Sequence, residues 1–308
     1  MKALGVQAER LCREGKLSEA MPLYEQAMAV FDEMIKLDDA TARLDALRVA
    51  SGLSNVYKHV VPARHDDATA LSRRALDAAE ASLGETHPAT LTICNGLALL
   101  LWEHEGNPEA FGLFRRALEG LEASAGPTHP DTMSIVANLA NMYAMCEDYE
   151  RAMPLYQRAL EGLEQSLGTE HTSYLSTLNG MAIVLAEQGN LDAALPEFRR
   201  ALAGFEKNLG ATHPDVLSLK NNLGSVLSDM GMFDEAEQHF NAALAGKLES
   251  GAFPRGHASV LSTVNGLASV LRERGRDDEA EKLIAQYAED AQLVPDSARG
   301  PRLTPRQG

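Results

Sequence analysis

The sequence predicts an all-α protein made of stacked pairs of antiparallel helices, and three observations predict it. A block recurs along most of the chain: GPTHPDTMSIVANLANMYAMCEDYERAMPLYQRALEGL from Gly126 returns as GATHPDVLSLKNNLGSVLSDMGMFDEAEQHFNAAL from Gly210. The period is regular, because His87, His129, His171 and His213 lie 42 residues apart and His257 follows after 44. Self-similarity at a fixed period of tens of residues marks a stacked-repeat architecture. Within each repeat, apolar and small residues then recur at spacings of three and four, the signature of one helical stripe.

Counted from their first apolar residue, the repeats start near Met1, Leu47, Leu91, Met133, Leu175, Leu217 and Leu261. In the first helix, place seven holds Leu53, Leu97, Leu139, Met181, Leu223 and Leu267, with Gln7 the exception. Place eight is small (Ala8, Ser54, Ala98, Ala140, Ala182, Gly224, Ala268), which lets a neighbouring helix approach closely. Place eleven is large again, as in Tyr57, Leu101, Tyr143 and Leu227. A polar turn follows, with Gly15, Gly106, Gly189, Gly231 and Gly275 in or beside it. The second helix opens with acidic residues such as Glu150, Asp234 and Glu235, which suit a helix N-terminus. It then places alanine and an aromatic four apart: Ala20/Tyr24, Ala110/Phe114, Ala152/Tyr156, Ala194/Phe198 and Ala236/Phe240.

The joints between repeats follow from local chemistry. Gly84, Gly126, Gly168 and Gly210 are expected to end second helices in a left-handed C′ conformation. Thr128-His129-Pro130-Asp131 and Thr212-His213-Pro214-Asp215 then start the next helix. Threonine with aspartate three residues on resembles a capping box, and proline suits a first helical turn. Either Thr or His can be the cap, since the residue before proline avoids helical geometry.

The L-G/A-x-x-Y, A-x-x-x-F/Y and A series resembles the tetratricopeptide repeat. The 42-residue period, the L-G-x-x-H-P-D joint and the N-N-L-G of Asn221 to Gly224 are similar to the kinesin light chain type of that repeat. The resemblance covers roughly residues 1–294. It implies a right-handed α-α superhelix of about seven helix pairs, with first helices lining the concave side and second helices outside. It also implies a binding protein, whose asparagines at the inner places clamp the backbone of an extended peptide.

Composition narrows the classes. A length of 308 residues ordinarily suggests two globular domains, but in a repeat array each repeat buries its surface only against its neighbours. No apolar run approaches the ~20 residues that cross a bilayer, and Met1 to Gly15 shows no signal peptide. The expected location is cytoplasmic, with no membrane partner. A net charge of −16 repels phosphate backbones, so nucleic acid is not an expected partner. Cys12, Cys94 and Cys146 lack C-x-x-C spacing and are read as reduced thiols.

No cofactor, metal or catalytic residue is expected. One histidine per repeat cannot converge on a metal, because packed helices stand about 8–10 Å apart and zinc ligands about 2 Å from their ion. The sequence has no G-x-x-x-x-G-K-S/T, G-x-S-x-G or H-E-x-x-H. His104 with Glu103 or Glu105 sits at a helix end and is not read as catalytic.

The inner face supplies the candidate site. Places two, five, nine and twelve of the first helix lie opposite the packing stripe. Place five holds Asn95, Asn179, Asn221 and Asn265, with Gly5, Ser51 and Ala137 in the remaining repeats. Place nine adds Asn55 and Asn141. Asparagine carries two donors and an acceptor and is a mediocre helix former, so its return at one place asks for a reason. Arg48 and Lys58 make the N-terminal end basic, and Trp102, the sole tryptophan, is an apolar anchor. Glu103, Glu187, Asp229 and Glu273 make the rim acidic.

The reading is a non-catalytic interaction scaffold for a protein or peptide partner. The alternative is an oligomerisation or regulatory array within a larger signalling or enzymatic assembly. Self-association is expected to use the N-terminal end, where no cap helix precedes the first repeat. The last helix, Asp278 to Gln292, is polar outside and suits a terminal cap. Residues 295–308 contain three prolines and little apolar content, and are expected to be disordered.

Overall fold

First and second helices alternate along the chain, as the two stripes of each repeat require. The computed structural model describes residues 2–59, 64–250 and 255–292, and the side chains among them except at positions 59, 103–105 and 288–292. The first helices are α1 (Lys2–Arg13), α4 (Ala40–His59), α6 (Pro88–Glu105), α8 (Pro130–Met145), α10 (Thr172–Glu187), α12 (Pro214–Asp229) and α14 (Ala258–Glu273). The second helices are α2 (Leu17–Met28), α5 (His65–Leu83), α7 (Glu109–Ser124), α9 (Tyr149–Leu167), α11 (Leu191–Leu209), α13 (Phe233–Glu249) and α15 (Asp277–Gln292). A short α3 (Phe31–Lys36) follows α2 and fills the places taken by the end of the second helix in later repeats. The described residues contain no strand. The stretched turn expected around Val60 to Asp66 lies partly outside the described residues, as does the C-terminal tail.

The chain divides into two compact units, residues 1–184 and 185–308. In each, the small residues do what the sequence pattern asks. Ala20, Ala110, Ala152, Ala194, Ala236 and Ala280 are fully buried, and so are Ala8, Ala98, Ala140 and Ala182. Their size lets backbones close up, and the aromatics four residues on fill the space beside them: Tyr24, Phe114, Tyr156, Phe198 and Phe240 are all buried. Each such ring, shielded from water, contributes roughly 1.5–3 kcal/mol.

Place six, not singled out in the sequence, is tightly constrained in three repeats. A Cβ built on Gly52 would stand 2.5 Å from the Tyr24 hydroxyl, and one on Gly266 would stand 2.6 Å from the Phe240 ring. A Cβ on Gly180 would stand 2.9 Å from Tyr156 Cε1. In these three repeats glycine seats the aromatic of the preceding repeat. On α1 the corresponding outward places behave differently. Place ten is Val56, Leu100, Met142, Val226 and Val270 in later repeats, all buried, but in the first it is the exposed Arg10, tied to Glu14 at 3.0 Å.

The histidines settle the joints. Nδ1 of His87 accepts from the backbone N–H of Ala89 at 3.1 Å, His129 from Asp131 at 3.2 Å, and His171 from Ser173 at 3.2 Å. His213 and His257 repeat the bond with Asp215 and Ser259. Histidine is therefore the N-cap, with extended backbone near φ −64° at His213. The threonine-based capping box does not form; Thr90 and Thr132 instead close the joint by donating to the carbonyls of Gly84 and Gly126, both at 2.8 Å. Gly84, Gly168 and Gly210 have φ between 81° and 93° but ψ between 158° and 164°. That is the extended positive-φ region open essentially to glycine alone, more restrictive than the left-handed helix expected.

Ion pairs tie successive second helices together on their solvent side. Arg116 holds Glu80 and reaches the Glu85 carbonyl, and Arg158 holds Glu122 and reaches the Pro127 carbonyl. Arg73 pairs with Glu109 and Arg199 with Glu235, each across 36 residues. Exposed pairs of this kind contribute ~0–1 kcal/mol each, so they fix spacing more than stability.

Candidate functional site

The opposite side of the first helices is built from other chemistry. In the N-terminal unit, place two is Thr92, Ser134 and Ser176 on α6, α8 and α10. Place five is Asn95, Ala137 and Asn179, and place nine is Leu99, Asn141 and Ile183. Place twelve adds Trp102 and Ala144. In the C-terminal unit, α12 and α14 present Ser218 and Ser262, then Asn221 and Asn265, then Ser225 and Ser269. Most of these side chains are exposed or half-buried, although Ala137 is buried.

The asparagines divide into two groups by their hydrogen bonds. Asn95 Oδ1 accepts from Asn138 Nδ2 at 3.1 Å, and Asn141 Oδ1 accepts from the Tyr156 phenol. Tyr156 is buried, and that burial holds its phenol above the usual tyrosine range, so it remains a donor. By contrast, Asn179 Oδ1 and Asn221 Oδ1 are buried and have no hydrogen-bond partner. Buried acceptors of this kind are rare and ask for an explanation. Asn55 and Asn265 are exposed.

The basic end expected at α4 is largely neutralised. Arg48 is engaged by Asp45 at 2.8 Å and by Glu9 at 3.1 Å. Lys58, ten residues further along α4, is half-buried and has a partner of its own.

Trp102 is half-buried and belongs to an aromatic row. Its ring meets Phe111 edge-on at 5.3 Å, and Phe111 meets Tyr143 at 6.3 Å. The Trp102 Nε1 donor is buried without a partner. Phe111 is 38% exposed and Met145 61%, an apolar surface that the sequence pattern did not bring out. Place-by-place comparison reveals it, because Ile183 and Leu99 stand where other repeats carry Asn, Ser or Glu.

Asn138, itself at place six, lies outside the expected set because its partner Asn95 belongs to the preceding repeat. A second residue outside the expected set is Lys247, which is 1% exposed on α13. It occupies the place of Leu121, Leu163 and Phe205 in other repeats. Its ammonium donates to Thr263 Oγ1 at 2.7 Å and to the Ser259 carbonyl at 2.9 Å, and burial lowers its pKa to about 8.

Alternating helices, glycine-ended joints and a buried Ala–aromatic ladder define a helix–turn–helix repeat protein. The chain belongs to the tetratricopeptide repeat family, whose profile matches residues 63–123, 103–165, 131–207 and 173–249. Its histidine-capped joints recur every 42 residues from His87 to His213. No curated protein matches the sequence.

Among solved structures, BtubC (BKLC) from P. vanneervenii is 21% identical with a TM-score of 0.63, over 79% of this chain and 96% of that one. A Rap protein complexed with Competence and Sporulation Factor is 15% identical with a TM-score of 0.65, over 94% of this chain and 76% of that one. NprR in complex with its cognate peptide NprX is 14% identical with a TM-score of 0.62, over 94% of this chain and 77% of that one. These likenesses establish the α-α superhelical fold. Among the described residues, no helix is long and apolar enough to cross a membrane.

Proposed function

We propose that the chain is a non-catalytic interaction scaffold that holds an extended peptide segment of a partner protein against its first-helix face. The carrying observation is the pair of buried, unpartnered acceptors, Asn179 Oδ1 and Asn221 Oδ1. Leaving a buried acceptor unpaired costs about 1–3 kcal/mol, which is returned when the amide turns to accept from a ligand N–H. Each unit carries one of them, so each offers its own backbone contact. Asn95, Asn141 and Trp102 flank Asn179 within the N-terminal unit, and Asn265 accompanies Asn221 in the C-terminal unit. NprR, which shares the fold, is known with a cognate peptide, and that precedent favours the same class of ligand here.

The test replaces Asn179 and Asn221 together by Ala. Folding is expected to change little, since removing an unpaired acceptor forfeits no bond. Affinity for a peptide obtained by display or by pull-down is expected to fall by about 1–3 kcal/mol. Unchanged affinity with an unchanged melting temperature overturns the reading.

A second reading, self-association at the N-terminal end, has one observation in its favour. Val6, at a place turned toward a neighbouring repeat elsewhere, is 47% exposed on α1. Arg10, Arg13 and Glu14 surround it with charge, so the peptide reading is preferred.

A further inference from the structure

We infer that a segment bound on the first-helix face of either unit carries no charged side chain where it touches α6, α8 and α10, or α12 and α14. The inference rests on the peptide-scaffold reading and names the chemistry of its ligand. Charged residues make up 23% of the chain, enough to expect several on any exposed face of five helices. Yet places two, five, nine and twelve of these helices hold a single charge, Arg272 at the end of α14. The charges lie instead on the second helices, in pairs such as Arg116–Glu80 and Arg199–Glu235.

A merely solvated helix face would be filled by Lys, Glu, Arg and Gln, which favour helix and keep the surface wet. This face carries Ser, Thr and Asn, which are poorer helix formers, together with the exposed Ile183. Solubility does not account for that choice. Recognition does, because hydroxyl and amide groups donate to and accept from a peptide backbone, while Leu99, Trp102 and Ile183 receive aliphatic side chains.

A charged side chain pressed onto these places would lose its water and find no counter-ion among them, since the carboxylates of Glu187, Asp229 and Glu273 lie at the rim beyond place twelve, and neutral hydrogen bonds do not return that cost. The same argument excludes a free peptide terminus from the face. At α4, where a cation does occur, Glu9 and Asp45 already neutralise Arg48.

The experiment pans the full chain against a display library of random peptides of about ten residues. That length spans three first helices spaced about 10 Å apart, at about 3.3 Å per extended residue. Panning is done at about 50 and about 500 mM NaCl, which shortens the Debye length roughly threefold. Affinities of the enriched peptides are then read from Trp102 fluorescence, in the wild type and in the N179A/N221A variant.

The expected result is enrichment of peptides depleted in Asp, Glu, Lys and Arg relative to the input, with affinity changing less than about twofold between the two salts. Ser176→Lys is expected to shift enrichment toward acidic peptides. Enriched wild-type binders rich in one sign of charge, weakened more than about tenfold by salt yet still sensitive to N179A/N221A, would overturn the inference and leave the scaffold reading standing. No enrichment, or enrichment indifferent to N179A/N221A, overturns both.

Discussion

Lys247 donates its ammonium to Thr263 Oγ1 at 2.7 Å across the joint between α13 and α14, with no carboxylate in the bond. The hydroxyl is itself satisfied by donating to the Ser259 carbonyl at 3.0 Å. A cation thus occupies a core place that is leucine or phenylalanine in neighbouring repeats, and burial moves its pKa from 10.5 to about 8. His257 nearby is also lowered, first by burial and then by the Lys247 charge.

Because the folded-state pKa lies below the unfolded one, the chain gains stability as pH rises from about 8 toward 10.5. The burial cost, about 3 kcal/mol, is fully present below that window and is relieved above it. Lys247→Met is expected to raise the melting temperature at neutral pH. It should also flatten the difference between wild type and variant above pH 10. Denaturant melts at several pH values check this, and parallel curves for the two proteins would refute it.

Gly96 and Gly180 occupy the same place in different repeats but have opposite surroundings. A Cβ on Gly96 meets nothing within 4 Å, whereas one on Gly180 meets Tyr156 Cε1 at 2.9 Å and Asn141 Oδ1 at 3.0 Å. Gly96→Ala should stabilise by up to about 1 kcal/mol through helix propensity. Gly180→Ala should destabilise by about 1–3 kcal/mol through overpacking. Equal effects in thermal melts would count against the seat assigned to the tyrosine ring.

Glu147 has φ 59°, the one positive value outside glycine among the described residues. It lies in the turn before α9, where other repeats place Gly106, Gly189 or Gly231. Glu147→Gly is expected to stabilise by about 0.5–1 kcal/mol by relieving the left-handed strain. A lower denaturation midpoint in the variant would contradict this.

Ala152 is fully buried beside Tyr156. Ala152→Glu would place an unpaired charge there at a cost of several kcal/mol, roughly 3 or more. A melting temperature equal to wild type would show the repeat alignment to be wrong.

Most of the fold was legible because repetition averages out local noise. Ala–aromatic spacing, the small place eight and the turn glycines each return several times, so helix pairs and their order could be read directly. The cap was not legible, since Thr128 and His129 satisfy the same local rules and only the imidazole's reach to the N–H two residues on separates them. Place six escaped notice because its occupant is set by the ring of the preceding repeat, a relationship that no single helix displays. The candidate face was legible in Asn95, Asn179, Asn221 and Asn265. What could not be read was which amides are spent internally: Asn95 and Asn141 already serve Asn138 and Tyr156, while Asn179 and Asn221 do not.

The joints bear on how such a chain can change in length. Each histidine cap closes within its own repeat, and each arginine such as Arg158 reaches back only to the glutamate and the loop of the repeat before it. Removing residues 126–167 would bring Gly168 to the end of α7 in place of Gly126. Arg200, the counterpart of Arg158, would then face Glu122. Cap, loop and ion pair would all be restored without altering another residue. Loss or duplication of a whole repeat therefore leaves every remaining joint intact and changes stability by about one repeat and one interface.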